Sequence, residues 1–238
     1  MHVLAPPNSI LGGIEAIHAD DVWAVGWHFT RVGSQTLVMH FDGRRWSQVQ
    51  APSPGRRYAA LMSVSASSPA NVWAAGSGGP GGEHGIVLRY DGSRWTEVDL
   101  PAPISNNLAH LSAIGVAARN DVWVVGNGGP LRHNTIPPLA LHFDGKGWTR
   151  SHIPEIEGRG SLADVEVLGP NEVWAAGDHG GRPLGLLRTN SWQETAIEDP
   201  QVPGELAGLA GDGKGSVWAV GEKGGSQWVI QRACEPLP

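Results

Sequence analysis

Short runs in which apolar and polar residues alternate recur along the whole chain, and a period of two reads as β-strand. One run is said five times: DVWAVG at 21–26, NVWAAG at 71–76, DVWVVG at 121–126, EVWAAG at 172–177 and SVWAVG at 216–221. In the first copy Val22, Ala24 and Gly26 fall on one face, and Trp23 and Val25 on the other. The tryptophans Trp23, Trp73, Trp123, Trp174 and Trp218 are separated by 50, 50, 51 and 44 residues. A nearly fixed period of this length marks a series of supersecondary units, none of which buries its apolar face alone.

Each unit reads as four strands, with the repeated phrase as the second. Apolar marks stand twelve and nine residues before each tryptophan: Leu11 and Ile14, Leu61 and Val64, Leu111 and Ile114, Leu162 and Val165, Leu206 and Leu209. Mostly small residues lie between the paired marks, which suits a first strand crowded against its counterparts around a narrow axis. Downstream, TLVMHFDGRRWSQV (36–49), IVLRYDGSRWTEV (86–98) and LALHFDGKGWTRS (139–151) read as third-to-fourth-strand hairpins. Their Asp-Gly pairs predict type I′ turns. The fourth copy has Asn190-Ser191 there and predicts a looser hairpin. The fifth ends without a fourth strand, whereas HVLAPPNS (2–9) is similar to SQVQAPSPG (47–55), the fourth strand of the first unit and its exit. The N-terminal strand is therefore expected to complete the last unit and clasp a ring.

Five four-stranded units of this period resemble a β-propeller. The VWAVG…DG..W pattern is similar to bacterial propeller repeats grouped with kelch and galactose-oxidase-like proteins. The resemblance covers essentially the whole chain and is one of architecture. The paired glycines of kelch repeats and the GH…WD signature of WD repeats are missing, so it carries over no function from those families. Five-bladed relatives include tachylectin-like lectins and glycoside hydrolases. The expectation is thus one all-β domain, a five-bladed propeller of four-stranded antiparallel blades. Its blades span approximately 9–51, 59–101, 109–153, 160–199, and 205–233 plus 1–6.

Composition narrows the partners. The 238-residue chain has a net charge of −6 and no Lys/Arg run, which excludes the basic face that nucleic-acid phosphates or an anionic membrane surface require. The single cysteine, Cys234, excludes internal disulfides and Cys-rich zinc sites. MHVLAPPNS lacks the basic and apolar regions of a signal peptide. The expected location is cytoplasmic, or secreted if the chain has been trimmed, and a monomer is compatible with the pattern.

Candidate chemistry lies where the units stop being alike. Second-to-third-strand connections differ: WHFTRVGSQ (27–35), SGGPGGEHG (77–85), NGGPLRHNTIPP (127–138), DHGGRP (178–183) and EKGG (222–225). The fourth-to-first connections vary too, and both sets fall on one face, where binding residues gather. Just after each repeated phrase stand Trp27-His28, Ser77-Gly78, Asn127-Gly128, Asp178-His179 and Glu222-Lys223. All the ionisable residues at this position belong to units four, five and one, which a closed ring makes neighbours. His28, His179, Glu222 and Lys223 are the candidate acid–base groups. Trp27, Tyr58, His84, Asn107, His110, Arg132, His133, Arg159, Asp178 and Glu205 are candidate ligand contacts. His28, His84, His133 and His179, one from each of four units, are candidate ligands for a divalent metal.

Three functions are open. One is an enzyme with a single asymmetric pocket at the propeller axis, using histidine acid–base or histidine–metal chemistry of lyase, isomerase or hydrolase type. Its substrate is small and, given Arg31, Arg56, Arg57, Arg132, Arg159 and Arg182 on the same face, anionic. The second is a lectin-like carbohydrate-binding propeller, for which Trp27 offers a platform. The third is a protein-interaction platform anchored by Trp27, Phe29, Tyr58 and Ile136. The scaffold repeats while the candidate site residues do not, which favours one site over five and the enzyme over the lectin. Asp164 and Glu166, on an expected axial strand, are read as binding channel water. His40 and His142 recur at one repeat position and are read as scaffold.

Overall fold

A computed structural model describes residues 5–54, 57–79, 84–101, 104, 109–128, 136–154, 159–195, 204–212, 216–224 and 227–232, with backbone only for 223 and 227–232. All regular structure within them is antiparallel β, apart from a short helical turn at Ile104, and no helix there is long and apolar enough to cross a membrane. The first sheet runs β1 (Ser9–His18), β2 (Asp21–Thr30), β3 (Gly33–Phe41) and β4 (Trp46–Gln48). The second repeats it as β5 (Ala59–Ser68), β6 (Asn71–Gly78), β7 (His84–Tyr90) and β8 (Trp95–Glu97). The third has β9 (Ala109–Ala118), β10 (Asp121–Gly128), β11 (Pro138–Phe143) and β12 (Trp148–Arg150). The fourth has β13 (Gly160–Gly169), β14 (Glu172–His179), β15 (Arg182–Arg188) and β16 (Trp192–Glu194). The fifth has three described strands, β17 (Gly204–Gly211), β18 (Val217–Lys223) and β19 (Gln227–Arg232). The expected closing strand, residues 1–6, falls largely on 1–4, outside the described residues; Ala5 packs against Ala24, Leu37 and Met39 of the first sheet.

The chain divides into two compact units, residues 1–119 and 120–238. In the first, Trp23, Val25 and Val38 meet Ala59, Leu61, Val64, Val72, Ala74, Ile86, Leu88 and Trp95 in one core between consecutive sheets. In the second, Trp174 and Leu187 pack with Val217, and Ala176 packs with Leu206 and Ala219. The rule is common to both: the tryptophan face of one sheet is covered by the first and second strands of the next.

The three-residue spacing of the apolar marks has a structural cause. A simple strand alternates with period two and would put Leu61 and Val64 on opposite faces. Here the pairing slips between Leu61↔Gly76 and Ser63↔Ala75, so Met62 is an extra residue. Such a bulge restores both marks to one face, and Leu61 and Val64 are buried while Met62 is exposed. The same slip occurs at Leu11/Gly13, Leu162/Asp164 and Leu206/Gly208.

Three of the repeat tryptophans sit in a polar bracket, donating their indole N–H to the residue two positions earlier: Trp73, Trp123 and Trp174, the last to Glu172 Oε1 at 3.1 Å. Trp73 Nε1 donates to Asn71 Oδ1 (3.0 Å), which also accepts from Arg89 Nη2 (3.1 Å), and the Arg89 guanidinium lies over the Trp73 ring. Trp123 Nε1 donates to Asp121 Oδ1 (3.2 Å), with His142 Nε2 2.8 Å from the same oxygen and its ring stacked on the indole at 4.2 Å. His40 holds Asp21 at 2.8 Å and stacks on Trp23 in the same way. The scaffold reading of His40 and His142 is that of the geometry.

Two turn expectations are corrected. The Asp-Gly pairs do not form two-residue type I′ turns, because Phe41↔Trp46 is the last pair and four residues bridge it. Asp42 Oδ1 instead accepts the Arg44 and Arg45 N–H groups (3.0 and 2.9 Å), and Gly43 alone takes positive φ, at 83°. Asp91 and Asp144 cap their loops likewise. In the fourth sheet Arg188↔Trp192 closes a shorter, three-residue loop rather than a looser one.

Candidate functional site

The variable connections after β2 and β14 are continuations of the hairpins, not open loops. Pairing runs on to Thr30↔Gly33 and to His179↔Arg182, leaving two-residue turns. Gly180 and Gly181 take φ 58° and 74°, so the type I′ turn expected at the Asp-Gly pairs occurs here. The sequence conceals this extension because Trp27-His28-Phe29 breaks the small, apolar character of the strand while keeping its alternation.

These hairpin ends are laced to the starts of first strands, both their own and the next. Ser34 N donates to Arg57 O (2.8 Å), and Ser34 Oγ lies 3.3 Å from both the N and the O of Ala59. Gly79 N donates to Tyr58 O (2.9 Å). In the second unit Gly204 N donates to Gly181 O, and Gly180 N to Arg159 O. Gly33, at φ 145°, is obligatory, since a Cβ there would stand 1.6 Å from Arg57 O.

In the first unit the candidates occupy this rim. Trp27 pairs with Ile10 and Thr36 and is half-buried, and His28 pairs with Ser9 and Gln35. Phe29 is 53% exposed, and Tyr58, next to the laced Arg57, is 45% exposed. Val32, at the hairpin tip, is exposed too, so an apolar and aromatic surface crowns this end. His110 is exposed on β9. His84 pairs with Gly78 and lines a cavity of about 140 Å³ with Pro54, Glu97 and Asp99. Burial, reinforced by Asp99, pushes the Glu97 carboxyl up. Sequence reading passed over Glu97 and Asp99, because they follow a fourth strand that looks like scaffold.

In the second unit Asp178 and His179 end β14, with Asp178 opposite Ser161 and Pro183, and His179 opposite Gly160 and Arg182. Arg159 is exposed and Glu205 stands directly opposite Glu222 across β17 and β18. The backbone of Lys223 pairs with Gly204 and Gln227. A cavity of about 200 Å³ lies at the repeat position of the one beside His84, lined by Pro137, Pro138, Arg150, His152 and Ile153. His28 and His179 share one repeat position, and in each Nδ1 is buried without a hydrogen-bond partner among the described residues. Asn107, Arg132 and His133 lie outside the described residues. Among the described residues no three His, Cys, Asp or Glu side chains gather as a metal site would require.

Asp164 and Glu166 have a different task from the one expected. Asp164 Oδ1 accepts Val165 N (2.8 Å) and Oδ2 accepts Leu209 N of β17 (2.7 Å), while Glu166 accepts the Gly211 N–H. They occupy the places of Ser63 and Ser65, whose hydroxyls accept Ile114 N and Val116 N of β9 at 3.2 Å. These side chains bridge the backbones of successive first strands. Burial raises both carboxyl pKa values, against the lowering effect of the bound N–H groups. A carboxyl whose folded pKa is raised contributes stability below its unfolded pKa and loses it as pH rises through the folded value. Asp164→Ser, which restores the hydroxyl used elsewhere, should therefore raise stability at pH 7–8 by about 1 kcal/mol. Thermal melts should show that gain shrinking below pH 4; an equal gain at both ends would contradict the assignment.

No protein-family model and no curated protein matches the sequence. Solved structures do match in fold. A protein of unknown function from Dyadobacter fermentans is 14% identical with TM-score 0.59, over 92% of this chain and 77% of that one. The SapL1 lectin, solved with α-methyl fucoside, is 11% identical with TM-score 0.58, over 96% and 80%. The fungal lectin of Aleuria aurantia, a six-bladed β-propeller, is 11% identical with TM-score 0.52, over 96% and 79%. The chain thus has an all-β, propeller-like architecture of antiparallel sheets.

Proposed function

We propose that this protein is a carbohydrate-binding propeller whose site is the aromatic rim of the first unit, formed by Trp27, Phe29 and Tyr58. The observation that carries the reading is the exposure of Phe29 and Tyr58 on a backbone fixed by hydrogen bonds. Phe29 pairs with Ser34, Ser34 bonds to Arg57 O, and Tyr58 follows. Exposed rings on a rigid rim lose little conformational freedom when the apolar face of a sugar stacks on them. The lectins among proteins of similar fold accord with the reading. It reverses the order expected from sequence, where divergence of the rim residues favoured an enzyme.

Titration of oligosaccharides by calorimetry or saturation-transfer NMR tests it. Phe29→Ala and Tyr58→Ala should each weaken binding about tenfold, as loss of one stacking ring implies. Unchanged affinity in both, with folding intact, would remove the site.

A small-molecule enzyme using histidine chemistry is the second reading, at His28 within the first unit or at His179, Glu222 and Lys223 within the second. It is favoured by the buried, unpartnered Nδ1 that His28 and His179 share at one repeat position. Following product formation during the same titrations distinguishes turnover from binding alone.

A further inference from the structure

Given the carbohydrate reading, on which this inference rests, we infer that the ligand of the first-unit rim is an acidic saccharide, bound through its carboxylate by Arg31 and Arg57. Arg31 forms the turn that closes the β2–β3 hairpin, two residues beyond Phe29. Arg57 immediately precedes Tyr58, and its own carbonyl is tied to Ser34. Each exposed ring therefore has an exposed guanidinium beside it in sequence. Neither arginine side chain has an ion-pair or hydrogen-bond partner among the described residues. Two scaffold arginines, by contrast, are engaged: Arg89 bonds to Asn71 and covers Trp73, and Arg188 covers Trp123. Arg31 and Arg57 have no such structural employment.

The chemistry selects the ligand. A guanidinium is a planar fork matched to a carboxylate, which it holds with paired, charge-assisted hydrogen bonds. A uronic acid places that carboxylate beside a ring whose C–H face can lie on Phe29 or Tyr58. A neutral sugar uses the rings but leaves both cations idle. Single-stranded nucleic acid also combines stacking with anions, but its closely spaced phosphates call for a continuous basic track. The chain carries a net charge of −6 instead.

The test uses the whole protein with oligogalacturonate and its methyl ester, which differ in charge and hardly in shape. The acid form should bind at least tenfold more tightly in 50 mM salt, and that advantage should collapse in 500 mM salt. Arg31→Gln and Arg57→Gln should abolish the advantage while leaving ester binding within twofold of the parent. If acid and ester bind equally and the arginine variants match the parent, the acidic-ligand inference is overturned and the carbohydrate reading stands. If neither binds and a neutral oligosaccharide panel is also silent, both fall. Tighter binding of a single-stranded oligonucleotide than of oligogalacturonate would likewise overturn it.

Discussion

Gly76→Ala should destabilise the first unit by at least about 3 kcal/mol, although it adds only a methyl group to a site without positive φ. A Cβ built there lies 1.9 Å from Ala60 O and 2.8 Å from Leu61 Cα. Both are backbone atoms of β5, so no rotamer change relieves the overlap. The strands would have to part at the bulge that sets the faces of Leu61 and Val64, two core residues. Gly26, Gly177 and Gly221, the last residues of three of the other phrases, meet the carbonyls of Ile10, Ser161 and Glu205 at 2.0 Å in the same way. Gly169→Ala is the control, since a Cβ there meets nothing within 4 Å. Thermal or urea unfolding should separate the two variants clearly. A Gly76→Ala protein as stable as Gly169→Ala would mean that the close approach of first and second strands is wrong.

Trp123→Ala should cost the second unit about 4 kcal/mol, the range for truncating a fully buried indole. Trp123 is 1% exposed and serves three neighbours at once. It stacks on His142, meets the edge of Trp192 at 5.5 Å and lies under the Arg188 guanidinium at 4.8 Å. Its loss also takes from Asp121 the indole N–H that it accepts. Trp123→Phe keeps most of the apolar area and removes only the donor, so about 1–2 kcal/mol is expected. Urea titration followed by circular dichroism gives both values. A loss below 1 kcal/mol for the alanine variant would show that the bracket does not hold successive sheets together.

The repeat made the fold legible. Five copies of one phrase, each with apolar marks at fixed distances, imply five sheets and fix the strand order within each, because hairpin-linked strands pair with their neighbours. The site was less legible. Trp27, His28 and Tyr58 lie at the hairpin rim, but His28 and Trp27 belong to a paired strand rather than to the loop expected from sequence. Asp164 and Glu166 look chemical in sequence, whereas their alignment with Ser63 and Ser65 shows that they bind backbone. Phe29 counted only as an anchor for a protein partner, because exposure is a property of packing and not of residue type.

By itself the chain's periodicity determined that this is an all-β repeat protein, which residues form its scaffold, and at which end the units differ. Those conclusions rest on alternation and spacing, which are local and survive without coordinates. Only the tertiary structure decided that four of the first strands are bulged, that the glycines ending four of the phrases face a carbonyl at about 2 Å, and that the aspartate of each hairpin Asp-Gly pair caps a four-residue loop. It also decided which polar side chains are occupied and which stand free, since a hydrogen-bond partner is set by what lies opposite across a sheet or in the next one, often dozens of residues away.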